Sequence, residues 1–154
     1  MCYIGDGNNM ANSLIVGFLK MGAHVSIACP KAYQPDAQVL SFTEQYPGKF
    51  FMTESPEEAA KDADVIFTDV WASMGQEEEK AVREKAFRGY QINAELLAKA
   101  HLGCMVQHCL PAHRGEEITA DVFESHADQI FDEAENRLHA QNCLLYTSDA
   151  ADEL

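Results

Sequence analysis

No apolar run in the 154 residues approaches the about 20 that a membrane-spanning helix requires. The opening Met1-Cys2-Tyr3-Ile4-Gly5-Asp6 lacks both the basic start and the apolar stretch of a signal peptide. Basic residues are scarce: 11 Lys+Arg stand against 25 Asp+Glu, a formal net charge of −14. A surface that acidic repels phosphate backbones, which argues against nucleic acid as a partner. An anionic ligand would have to be held by local donors, such as a helix N-terminus or one well-placed Arg. The five cysteines (Cys2, Cys29, Cys104, Cys109, Cys143) form no CxxC pair, and their number is odd. That pattern fits a reduced, cytosolic chain whose thiols are buried or reactive and not bridged. What is present is globular: 47% hydrophobic and 23% charged, with length enough for one domain and its core.

Short apolar runs alternate with segments of helical period. Cys2 to Gly5 reads as a strand entering a Gly-Asp-Gly-Asn-Asn turn. Met10, Leu14, Phe18 and Met21 then fall on one helical face, and Gly22 closes that helix. His24–Cys29, Lys49–Thr53, Asp64–Val70 and Cys104–Cys109 read as four further strands. Helices are predicted from Pro35-Asp36 to Tyr46, after the capping box Ser55-Pro56-Glu57-Glu58, from Gln76 to Arg88, and over Ala94–Ala100 and Ala120–Glu124. Ala112–Glu117 reads as a polar loop, and a last helix is predicted from about Asp132. Glu79/Arg83 and Glu84/Arg88 are acid-before-base pairs at i,i+4, the pattern of a solvated helix face. Strands separated by crossover helices imply one α/β domain, a Rossmann-like parallel sheet covered on both faces. Ligands of such sheets sit at the carboxyl ends of the strands. Three chemically suggestive segments end there.

The first, Gly5-Asp6-Gly7-Asn8-Asn9, begins like a dinucleotide fingerprint, but Met10 replaces its third glycine and no acidic residue ends the second strand. Its alternatives are a tight Asn-capped turn, or an Asn9 amide aimed into a crevice. The second, Asp69-Val70-Trp71-Ala72-Ser73-Met74-Gly75, sets a carboxylate four residues before backbone N–H groups at a helix start. That spacing suits the zwitterionic end of an amino acid, with Asp69 on the ammonium and Ser73 and Met74 on the carboxylate. The alternative is a polar cap with Trp71 as core filler. The third, His108-Cys109-Leu110-Pro111, puts a cysteine at a strand end. A thiolate activated by His108 is disfavoured because strand neighbours point to opposite faces. A metal site of Cys109, His108 and His113 lacks a fourth ligand. A buried small cysteine is the plain reading, as it is for Cys2, Cys29 and Cys104.

These motifs, with Gln76-Glu77-Glu78-Glu79-Lys80 and Ala134-Glu135-Asn136-Arg137, resemble in order and spacing the ornithine carbamoyltransferase family, specifically its C-terminal, ornithine-binding domain. The resemblance covers residues 2 to 142. It implies carbamoyl transfer from carbamoyl phosphate to the δ-amine of L-ornithine, giving L-citrulline and phosphate, with no cofactor and no metal. Residue by residue, it assigns Asn9, Asp69, Ser73 and Met74 to ornithine, Cys109 and Leu110 to the carbamoyl group and ornithine side chain, and Arg137 to polarising carbamoyl phosphate. Cys109 is then a binding and electrostatic residue, not a covalent nucleophile. A carbamoyltransferase for another amine, such as putrescine, is the neighbouring alternative, although putrescine has no α-amino acid head for Asp69 and Ser73-Met74-Gly75. The family's Ser-x-Arg-Thr-Arg phosphate loop and His-Pro-x-Gln motif, carried by its N-terminal domain along with its trimer contacts, are absent here. The chain is therefore expected to be a fragment opened at an internal methionine within a longer first strand, and inactive alone. From Cys143 the composition changes: residues 143–154 resemble translated sequencing-adapter read-through and are expected to be non-native, with Thr147-Ser148-Asp149 stopping the helix.

Overall fold

The structure, a computed structural model, describes residues 1–72 and 79–152, with side chains as far as residue 147. Five strands, β1 (Cys2–Ile4), β2 (Val25–Ala28), β3 (Phe50–Thr53), β4 (Val65–Thr68) and β5 (Met105–His108), form one sheet in the order β3-β2-β1-β4-β5. Every pairing is parallel. The helices are α1 (Asn9–Lys20), α2 (Ala37–Thr43), α3 (Pro56–Ala60), α4 (Lys80–Ala86), α5 (Ala94–Leu97), α6 (Ala120–Ser125) and α7 (Ala127–Asp152).

Strand alternation divides the core. Tyr3 joins Ile15 and Leu19 of α1 with Val25 and Ile27 on one face, where Val39 and Phe42 of α2 pack against them. Cys2 and Ile4 face the other way, against Ala59 and Ala60 of α3, Phe87, Leu96, Phe123 and Ile130. Burying one such Ile or Leu contributes about 2 kcal/mol. Cys2, Cys29 and Cys104 are buried as expected, and all five thiols are free.

The sheet reverses direction of growth at β1, with β2 on one side and β4 on the other. The carboxyl ends of β1 and β4 thus flank the crevice where parallel sheets hold ligands.

Several local expectations change. The last helix starts at Ala127, five residues before the predicted Asp132, because a single residue, His126, links it to α6. It does not stop at Thr147. The Thr147 hydroxyl donates back to the Cys143 carbonyl at 2.8 Å, so this residue serves the helix interior instead of capping a new one. In α4, described from Lys80, Arg83 is not on a solvated face: it is 7% exposed. The predicted start at Gln76 lies outside the described residues. The polar loop before α6 turns one of its charged side chains inward: Glu117 is fully buried.

Candidate functional site

Asn8 caps α1, its Oδ1 accepting from the N–H groups of Met10 (3.0 Å) and Ala11 (3.2 Å). This fixes its amide nitrogen, which donates to Asp69 Oδ2 at 2.8 Å. Asp69 follows β4 directly and is 7% exposed. Its other oxygen, Oδ1, accepts from the Val70 N–H at 2.8 Å and from Cys109 Sγ at 3.2 Å. Three strand ends, those of β1, β4 and β5, therefore meet at one carboxylate.

Cys109 is a thiol in this setting. Burial, and then the negative charge of Asp69 and its hydrogen bond, push its pKa up to about 12. His108 does not activate it. The His108 ring is fully buried and engaged elsewhere, with Nε2 3.0 Å from Glu117 Oε1. Its Nδ1 accepts from the Leu110 N–H at 3.0 Å, so the proton between ring and carboxylate sits on Nε2. Glu117 Oε1 also accepts from the His113 N–H at 2.7 Å. The bond to Leu110 supports a left-handed backbone at that residue (φ 54°), followed by a cis bond to Pro111. The turn thus presents Cys109 and Leu110 at the sheet's carboxyl rim.

Arg83 braces the rim from below. Its Nη1 donates to Asp6 Oδ2 at 2.6 Å and to the Trp71 carbonyl at 2.9 Å, Nε lies 3.3 Å from Glu79 Oε2, and its guanidinium lies 4.8 Å from the Tyr33 ring centre. One side chain so ties the Gly5–Gly7 turn to the end of β4. Trp71 is core, stacked on Phe87 at 6.0 Å.

Of the residues singled out from sequence, the structure brings together Asp69 and Cys109. Asn9 lies exposed in the first turn of α1 and has no hydrogen-bond partner among the described residues, whereas its neighbour Asn8 reaches Asp69. Ser73 and Met74 lie outside the described residues. Arg137 is exposed on α7. Asn8 is the cap that the Asn-capped reading of the turn allowed for, whereas Arg83 and the His108–Glu117 pair were missed.

The dinucleotide reading fails on geometry. A Cβ on Gly7 would meet Gln34 C and Pro35 N at 2.3 Å, so that glycine admits the chain's own 33–35 loop and not a pyrophosphate. The first-turn N–H groups of Met10 and Ala11 are already taken by Asn8. Ligand atoms of Asp69, His108 and Cys109 lie within 4.8 Å of one another, as do those of His113, Glu116 and Glu117. In the first group both His108 nitrogens are hydrogen-bonded and the thiol holds its proton; in the second Glu116 is paired with Lys80 at 3.0 Å. In either set, these hydrogen bonds and ion pairs would have to give way before a metal could be held. Cys109, His108 and His113, set aside from sequence for want of a fourth ligand, have other partners here: Cys109 Sγ donates to Asp69 and His108 Nε2 meets Glu117.

Fold and site together define an α/β binding domain whose crevice lies at the switch between β1 and β4. The sequence profile of the aspartate/ornithine carbamoyltransferase family, Asp/Orn binding domain, matches residues 1–148, and the chain belongs to this family. It is 52% identical over 147 residues to the ornithine carbamoyltransferase of Pyrococcus abyssi, covering 93% of this chain and 46% of that protein. It superposes on the anabolic ornithine carbamoyltransferase of Campylobacter jejuni with a TM-score of 0.90 at 39% identity, covering 97% of this chain and 50% of that one. The Pyrococcus furiosus ornithine carbamoyltransferase structure gives 0.84 at 50% identity, with 93% and 47% covered. The chain spans about half the length of the relatives it matches. Among the described residues, no helix is long and apolar enough to cross a membrane.

Proposed function

We propose that this chain is the ornithine-binding half of an ornithine carbamoyltransferase, which moves the carbamoyl group of carbamoyl phosphate to the δ-amine of L-ornithine. The observation that carries this reading is the Asp69 carboxylate, held by Asn8 and Cys109 where β1, β4 and β5 end, in a chain 52% identical to a protein of that activity. Asp69 takes the α-ammonium, and Asn9, Ser73 and Met74 complete the hold on the amino acid head. Cys109, still protonated, and Leu110 bound the δ-amine and the carbamoyl group, and Arg137 polarises the latter. The neutral amine attacks the carbamoyl carbon, the carbonyl oxygen gathers charge in a tetrahedral transition state, and the C–O bond to phosphate breaks as the departing phosphate takes the proton the amine sheds. Catalysis on this account is positioning and charge stabilisation, with no covalent enzyme intermediate. The phosphate is held mainly by residues outside this chain, so the purified chain is expected to make no citrulline.

Titration calorimetry with L-ornithine tests the reading. Asp69→Asn, which removes the charged partner of a buried ammonium, is expected to weaken binding by about 1–3 kcal/mol. Equal affinity in wild type and variant removes Asp69 from the site.

A further inference from the structure

Among the described residues β5 is an edge strand, bonded to β4 and to no other strand. The Met105 N–H donates inward, to Asp64 O at 3.0 Å, so by alternation the N–H groups of Val106 and His108 face outward. Helix α7 meets both. Gln129 Oε1 accepts from the Val106 N–H at 3.2 Å, and the Glu133 carboxylate lies beside the His108 backbone. With its amide turned to donate, Gln107 reaches Gln129 O at 3.3 Å and Glu133 Oε2 at 2.7 Å.

The two periods agree. Four residues of helix rise about 6 Å, and two residues of strand about 6.6 Å. Helix and strand therefore keep step: residue 129 beside 106, and 133 beside 108. The next rung sets 137 beside 110, past the end of β5 and at the Cys109-Leu110-Pro111 turn. Residue 137 is Arg, with an exposed side chain.

We propose that Gln129 and Glu133 are positioning residues, locking α7 in step with the free edge of β5 and thereby holding Arg137 at Cys109 and Leu110. The proposal rests on the reading of Arg137 and Cys109 as one site, but its test uses no substrate and can fail independently of ornithine binding. In a Cys143→Ser background, Cys109 is alkylated at pH 9 with anionic iodoacetate and with neutral iodoacetamide, and the Cys109 peptide is followed by mass spectrometry. The ratio of the two rates reports positive charge at the thiol, whatever fraction is ionised.

Glu133→Gln removes the charge and keeps an acceptor oxygen; Glu133→Leu removes both. Arg137→Gln is expected to lower the ratio about two- to fivefold in the parent chain and in Glu133→Gln, as one nearby solvated cation would. In Glu133→Leu it is expected to have no effect, because Arg137 has already left its place. An equal drop in all three backgrounds overturns the positioning role, and no drop in any of them removes Arg137 from Cys109. Should Glu133→Leu not fold, Gln129→Leu, which opens the rung one turn earlier, replaces it with the same expectations.

Discussion

The thiol of Cys109 donates to Asp69 Oδ1 across 3.2 Å, so the two groups at the centre of the crevice are one acid and one base sharing a proton that stays on sulfur. Two reactivities follow. At pH 8 iodoacetamide is expected to label exposed Cys143 and spare Cys109. Asp69→Asn takes away the charge beside the thiol but not its burial, so Cys109 labelling at pH 9 should quicken and still lag behind Cys143. Peptide mass spectrometry checks both, and Cys109 reacting as fast as Cys143 in the wild type at pH 8 would sink the account.

Arg83 supplies the second test. Asp6 and Arg83 have side chains only 12% and 8% exposed, and Asp6 has its carboxyl pushed up by burial against the pull of the guanidinium. Breaking such a pair from one side leaves a buried charge alone, at a cost of about 3 kcal/mol. Arg83→Met should lower the urea-unfolding free energy by that amount. Adding Asp6→Asn should recover part of the loss, since the orphaned charge is gone. Purely additive losses would mean that the two side chains do not depend on each other.

Alkaline stability follows from the buried thiols. Cys2 and Cys109 are raised from 9.0 to about 12 and Cys29 to about 11, each chiefly by burial. Between these values and 9 the folded chain keeps protons that the unfolded chain releases. Stability from these groups is whole below pH 9 and falls as pH climbs towards 11–12. Tyr3, raised by burial too, adds in the same direction. Urea midpoints at pH 8 and pH 10.5 should differ, and Cys2→Ala should flatten the slope. A slope unchanged in that variant would exclude the thiol as its source.

Why some of this was legible in the sequence and some was not has a physical reason in each case. Strand ends and turns are written locally, in apolar runs closed by Gly, Pro and Asn, and the described residues of the three strand-end motifs fall at the carboxyl edge as their placement implied. Arg83 was misread because its i,i+4 partner Glu79 is visible in the sequence, while Asp6, 77 residues away, is not. Glu117 sits in a stretch of charged residues whose burial depends on His108 arriving from β5. The step between α7 and β5 joins two periods, four residues and two, which no single-segment pattern displays.

The end of α7 gives the last prediction. Its 26 residues span about 39 Å, about three times the length of the four-residue β5 beside which it starts. Leu144, Leu145 and Tyr146 are 68%, 64% and 82% exposed, so these three contribute little buried area even though the helix continues through them. A helical end held by its own backbone bonds, and not by the core, adds little to global stability. Deleting residues 144–154 is therefore expected to change the unfolding free energy by less than about 0.5 kcal/mol. It should also remove helical ellipticity in proportion to the residues lost, without altering the urea midpoint. A deletion that unfolds the domain would show that this stretch is packed, and would count against reading residues 143–154 as a non-native tail.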